Sequence, residues 1–260
     1  MAGGDAALLA LLPGLAAALM LTLARAGAVI VLLPGFGEAE IPAPARAGLA
    51  LGVALALLPA TAPLLAHLPA EPAAFAALAA GEVATGLWLG WLARLATLAL
   101  PIAGQLIATM VGQANVLQPD PALGAQNTAL SRLLALAAPA IVLASGLYAW
   151  PLEALAGSYR LIPPGAVLPG GDAAQGVVAA TGAAFALALR LAAPFVAAAV
   201  VWQAAMGLLA RLVPRLQVYF TAMPGQLLGG LLLLSALSAT VLGVWAEALR
   251  VGWDHLPGLG

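Results

Sequence analysis

The sequence has no cysteine and no lysine, and its only formal charges are nine arginines and ten acidic residues in 260. Without cysteine there are no disulfides, thiolate metal sites, iron–sulfur ligation or cysteine nucleophiles. Without lysine there is neither a P-loop cation nor a Schiff-base nitrogen, so P-loop nucleotide hydrolysis and pyridoxal chemistry are excluded. A net charge of −1 gives no electrostatic footprint for nucleic acid. Histidine occurs only as His67 and His255, neither in an apolar run, which leaves Ser145 without a base for intramembrane hydrolysis. No His-Glu-x-x-His pattern is present, and Gly35-Phe36-Gly37 lacks a preceding strand and reads as a turn. No cofactor is expected.

What is present is apolar. Hydrophobic residues make up 64% of the chain, charged residues 7%, and the mean hydropathy is +1.07, whereas soluble domains are roughly 45–50% apolar and about 25% charged. Nineteen charges cannot coat a globule of this size, so much of the surface faces lipid or other apolar protein. The N-terminal run contains Asp5 and no basic region, so it reads as a first membrane segment rather than a cleaved signal. A membrane helix needs about 20 mainly apolar residues. By that measure the chain offers six hydrophobic units, at residues 6–33, 47–66, 73–111, 133–152, 177–210 and 216–246, the third long enough for one or two segments. They are separated by a loop at 34–46, a polar stretch at 112–132 holding five side-chain amides, and a Gly/Pro loop at 157–176. The fold class is all-α, a single multi-helix membrane domain over residues 1–260.

Alanine supplies about a quarter of the residues, with 29 glycines and 20 prolines. Small residues allow close helix approach, and Gly48/Gly52, Gly86/Gly90 and Gly225/Gly229 have the four-residue spacing that places both on one face. Pro101, Pro139, Pro194 and Pro224 fall inside apolar runs, where each removes a helix hydrogen bond and kinks the helix. Freed backbone groups must be satisfied by protein or a wet cavity, so broken helices against partner subunits or a channel are expected, with a break at Met223-Pro224-Gly225. Arg25, Glu82, Arg94 and Arg190 are intramembrane charges, costly in lipid and therefore candidates for function. Arg25 and Arg94 are near enough to segment ends to snorkel. Glu82 and Arg94, twelve residues apart, lie on different helical faces and cannot pair. Trp88 and Trp91 share a face beside Arg94 and suit an aromatic belt.

Four stretches, in order, resemble the FliR/SctT family of flagellar and type III secretion export-gate proteins. The first is Arg25 followed by LLPGFGEAEIPAPARAGLALGVALALLP, with Pro34, Gly37, Ile41-Pro42 and Arg46. The second is GQLIATMVGQANVLQPDPALGAQ, with Gly104, Gly112, Asp120 and Pro121. The third, GSYRLIPPG, contributes Ser158, Tyr159, Pro163 and Gly165. The fourth, GLLARLVPRLQVYFTAMPGQLLGG, carries Arg211, Pro214, Pro224 and Gly229/Gly230. This chain has Arg215, Met223 and Leu147 where the family usually has Gln, Phe and His.

The resemblance implies a non-enzymatic subunit of a spiral export gate, built with FliP-like and FliQ-like membrane subunits and served by FlhB-like and FlhA-like export proteins. Its location would be the bacterial inner membrane at the flagellar basal body, passing unfolded substrates. It further implies that the middle loop closes the channel, through Gly112, Gln113, Asn115, Gln118, Pro119, Asp120 and Pro121. Structural and assembly roles would fall to Arg25, Pro34, Pro42, Arg46, Gly104, Pro163, Gly165, Arg211, Pro214, Pro224 and Gly229. The alternative is a small-solute transporter with broken helices around a midplane site.

Overall fold

Long runs of alanine and leucine have the highest helix propensity, and in an apolar medium only a helix or a closed barrel satisfies every backbone group. The computed structural model describes residues 2–65, 69, 71–112, 128–212 and 218–259. Among them are seven helices and no strand: α1 (Ala2–Leu32), α2 (Ala43–Thr61), α3 (Pro72–Val111), α4 (Ala129–Ala144), α5 (Ala149–Leu161), α6 (Gly170–Leu212) and α7 (Val218–Asp254). A short 3₁₀ turn, Ala62–Leu65, extends α2. Five helices are long and apolar enough to cross a membrane, and α4 with α5 form a bent pair that brings the total to six. This is an all-α, multi-pass membrane protein.

Helix boundaries follow local chemistry. Pro42 precedes α2 in an extended conformation (φ −57°, ψ 139°), and Pro44 occupies the first turn, where a missing N–H goes unmissed. The expected Gly/Pro loop at 157–176 narrows to 162–169, because α5 continues to Leu161 and α6 begins at Gly170. Within that loop the Ala166 N–H donates to the Pro163 carbonyl at 3.0 Å, and Gly165 has φ +86°. Pro163-Pro164-Gly165-Ala166 thus carries the hallmarks of a type II turn.

The prolines behave differently from expectation. Pro101, Pro139, Pro194 and Pro224 all lie inside helices that continue through them, and no break occurs at Met223-Pro224-Gly225. A proline forfeits one hydrogen bond, and in a membrane protein neighbouring groups can restore the balance. The turn that separates α4 from α5 instead falls at Gly146, whose φ of +74° is left-handed and ends a helix outright. The 73–111 run is one helix of 40 residues.

The chain clusters into two compact units: residues 1–95, 142–180 and 252–260, and residues 96–141 and 181–251. The core of the first unit joins Ala26, Val29, Ala54, Leu89, Leu155 and Tyr159 from α1, α2, α3 and α5. Gly86 and Gly90 let α3 lie directly on α1: a side chain at 86 would collide with the Arg25 carbonyl, and one at 90 with Leu32 and Val29. Gly48 and Gly52 face open space, and of Gly225 and Gly229 only the first meets a neighbour, Trp202, so among the described residues Gly86/Gly90 is the one pair of the three with both members at a helix contact. Gly86→Ala is expected to lower stability in detergent by about 1–3 kcal/mol through overpacking, whereas Gly48→Ala raises it slightly through helix propensity. Thermal unfolding of the two variants side by side checks this; equal melting temperatures would refute it.

Buried residues of the second unit include Ala103, Ile107, Val111, Leu134, Leu191, Phe195 and Trp245. Gly104 admits α4 against α3, since a Cβ there would lie 2.9 Å from Leu134 Cδ1 and 3.0 Å from Ser131 Cα. The apolar stretch of α7 is only 6% buried, against 50% for α3. Its lateral surface therefore belongs to lipid or to other subunits.

Candidate functional site

In the first unit, Arg25 is 1% exposed and Glu82 2% exposed. Arg25 Nε donates to Glu82 Oε2 at 2.7 Å and Nη2 donates to Oε1 at 3.0 Å, a bidentate pair. Nη1 donates to Ser158 Oγ at 3.1 Å, and both Nη atoms donate to the Ile162 carbonyl at 3.0 Å. The fork therefore uses all five of its donors. Tyr159 presents its ring 4.1 Å from the guanidinium carbon, a favourable cation–π distance. Ser158 Oγ donates onward to the Leu155 carbonyl at 2.7 Å. Ile162 follows the last residue of α5, so the guanidinium also caps the negative end of that helix. One side chain on α1 thereby ties down α3 and α5. Nearby, the hydroxyls of Thr22 and Thr61 bond at 2.9 Å and join α1 to α2.

Neither Arg25 nor Arg94 snorkels. Arg94 pairs with Glu38 at 3.3 Å and donates to the Leu32 carbonyl at 3.3 Å, capping α1 as Arg25 caps α5. Trp88 is tied within the fold, its Nε1 donating to the Ala173 carbonyl at 3.2 Å, while Trp91 is 40% exposed. Pro34 is buried after α1, and Gly35 (φ +90°) and Phe36 complete the turn read from the sequence. Pro42 and Arg46 flank the start of α2, Pro42 exposed and Arg46 half-buried. The C-terminal tail packs on α5, where Gly157 and Gly258 touch through their backbones, and Trp253 Nε1 donates to the Ala93 carbonyl at 3.2 Å.

The second unit holds the two described ends of the middle loop. Gly112, at φ +86°, terminates α3. Gln226 Nε2 donates to the Met110 carbonyl at 3.1 Å, satisfying one of the orphan acceptors of that helix end, and a Cβ on Gly112 would lie 3.4 Å from the Gln226 amide. Gly230 packs against Val111 so closely that a side chain there would overlap it. At the other end, Thr128 donates its N–H and its hydroxyl to Gln105 Oε1 at 3.1 and 3.0 Å. Thr128 Oγ1 then accepts the Ser131 N–H at 3.2 Å, the N-cap of α4, and Ser131 Oγ donates to the Pro101 carbonyl at 3.0 Å. Beside Gly112 lies a cavity of about 310 Å³, lined among others by Met110, Phe195, Trp202, Gln226 and Gly229. Among the described residues no three His, Asp or Glu side chains gather as a metal site.

The pattern of the bacterial export proteins, family 1, matches residues 16–251. The chain belongs to that family. It is 30% identical to the flagellar biosynthetic protein FliR of Caulobacter vibrioides over 230 residues, which cover 88% of this chain and 92% of the relative. It is 27% identical to the flagellar biosynthetic protein FliR of Escherichia coli, over 83% of this chain and 82% of the relative. A third relative, the flagellar biosynthetic protein FliR of Bacillus subtilis, is 29% identical over 80% of both chains.

The matched region of this export protein spans both arrangements above. Of the residues singled out in the sequence, Arg25 enters the buried centre, Gly104 seats α4, Gly112 ends α3, Gly229 lines the cavity there, and Pro224 is exposed inside α7 two residues before Gln226. Arg211 is exposed in the last turn of α6, where a cation suits the helix dipole, and Pro163 and Gly165 shape the turn before α6. Gln113, Asn115, Gln118, Pro119, Asp120, Pro121 and Pro214 lie outside the described residues, as does His67. Sequence reasoning missed the roles of Glu82, Ser158, Gln105 and Gln226. Glu82, Thr85, Gly86, Leu89 and Ala93 are all buried at helical spacing, and that polar and small stripe was a signal of a helix contact.

Proposed function

We propose that this protein is a non-enzymatic subunit of the flagellar protein-export gate in the bacterial inner membrane. It assembles with FliP-like and FliQ-like membrane subunits, works with FlhB-like and FlhA-like export proteins, and passes unfolded substrates. The observation that carries this reading is the family match across residues 16–251. The small-solute transporter loses ground, since the similar proteins share one name, flagellar biosynthetic protein FliR. Residues 1–260 act together as one gate domain. Arg25 with Glu82 and Arg94 with Glu38 are paired within the first unit, and export energy comes from the partners.

Residues 112–121, with Gln113, Asn115, Gln118, Pro119, Asp120 and Pro121, are assigned to channel closure. Support comes from the loop's anchors. Thr128 is held by Gln105, seven residues before Gly112 on α3, so the two ends are separated by roughly 10 Å along that helix. Amides and prolines can line a wet constriction without a charge ladder that would retain a substrate. Arg25, Pro34, Pro42, Arg46, Pro163, Gly165, Arg211, Pro214, Pro224 and Gly229 are assigned to holding helices and turns for assembly. Affinity purification from native membranes is expected to recover the FliP-like and FliQ-like subunits in a stable complex. A stable monomer that complements export alone would overturn the reading.

A further inference from the structure

We propose that Arg190, on the lateral face of α6, is an ion-pairing site for a carboxylate carried by a membrane helix of a different protein. The inference rests on the reading that the chain is built into an assembly, and it assigns one contact within it. Arg190 is exposed, and among the described residues it makes no hydrogen bond or ion pair. It lies in the interior of a 43-residue helix that is apolar enough to cross a membrane. The nearest charges on that helix are Asp172, about 27 Å away, and Arg211, about 32 Å away. Snorkelling needs a nearby segment end; here seventeen uncharged residues precede the arginine and twenty follow it. An unpaired guanidinium at such a position is unfavourable in lipid, and no described residue of this chain supplies its counter-charge.

The surface around Arg190 suits a helix rather than a lipid chain. Ala186, Ala193, Pro194 and Ala197, one and two turns away on the same face, are all exposed, and small residues let a second backbone approach closely. A second copy of this chain is a poor source of the carboxylate. Among the described residues Glu82 is the one acid deep within a long apolar helix, and it is committed to Arg25. Glu247 and Asp254 lie near the end of α7 beside Arg250 and His255. The charge complement therefore points to a different polypeptide with an Asp or Glu inside an apolar helix.

The chain has no cysteine, so Arg190→Cys gives it a single thiol at a known position. In native membranes a reagent with a maleimide at one end and a photoreactive benzophenone at the other is expected to link position 190 to a different membrane polypeptide, at a helix containing a carboxylate. Arg190→Glu and Arg190→Leu are expected to lower the yield of the complex by at least about 30-fold, as for loss of one partner of a buried charge pair. Arg190→Lys retains most of it. Changing the carboxylate of the cross-linked helix to arginine restores assembly of Arg190→Glu. A cross-link only between two copies, assembly of Arg190→Leu at the wild-type level, or failure of the charge swap to restore Arg190→Glu would overturn the pairing. Arg190→Leu keeps the helix apolar and so separates loss of pairing from failed insertion. A wild-type chain that purifies alone defeats the assembly reading itself, whereas a wild-type complex indifferent to Arg190→Glu defeats only this inference.

Discussion

Replacing Arg25 with alanine is expected to destabilise the first unit by about 3–5 kcal/mol, because it strands a buried carboxylate. Glu82→Leu has an effect of similar size by stranding the guanidinium. A simple buried ion pair can often be exchanged for two apolar residues at no net loss, and the double variant Arg25→Met with Glu82→Leu tests whether this one is simple. It is not expected to be. Arg25 also donates to Ser158 Oγ and to the Ile162 carbonyl beyond the end of α5, and those acceptors are left buried without a donor in the double variant. A residual loss of about 1–3 kcal/mol follows. Arg25→Lys fails for a related reason: an ammonium has three donors and no planar fork, so it cannot serve the carboxylate bidentately and cap the helix together. The measurement is a double-variant cycle by denaturant or thermal unfolding in a fixed detergent. Full recovery in the double variant would reduce the centre to an isolated ion pair, without a capping role.

How much of this was legible in the sequence varies with the range of the interaction. Helical units followed from composition and the length of apolar runs, since the medium leaves the backbone few options. Glycine-dependent turns at residues 35–37 and 163–166 are local and could be read from spacing. The charged residues were legible as anomalies but not as pairs: Arg25 and Glu82 are 57 positions apart, and Arg94 and Glu38 are 56 apart. Which faces meet depends on how helices are threaded, and a single sequence carries no periodic record of that. The prolines misled in the other direction. Their lost hydrogen bond was read as a break, but a helix ends more decisively at a left-handed glycine, and Gly146 rather than Pro139 or Pro224 marks the turn. Gln226 shows the same limit at the candidate gate. It stands in a recognisable glycine-rich stretch, yet its value comes from reaching the Met110 carbonyl across 116 positions.

Removing residues 113–121 is expected to turn a closed gate into one that passes small ions, the largest functional effect foreseen for any change in this chain. The loop anchors make the expectation specific. Gln226 holds the end of α3 from α7, and Gln105 holds Thr128 at the start of α4, so the intervening chain is fastened on both sides within the second unit. Shortening it leaves those anchors and the flanking helices in place, which separates loss of closure from loss of fold. Gln226→Ala and Gln105→Ala probe the fastening instead. Each removes hydrogen bonds from a helix end and is expected to cost about 0.5–1.5 kcal/mol per bond, giving a partial leak with the loop still at full length. Conductance of the purified complex in planar bilayers, without substrate, orders the variants: wild type closed, the two glutamine variants intermittently open, the shortened loop persistently open. If the shortened loop conducts no more than wild type in a correctly assembled complex, closure resides elsewhere and the assignment of residues 112–121 falls. If only the glutamine variants leak, the seal belongs to the packing of α7 on the end of α3 rather than to the loop.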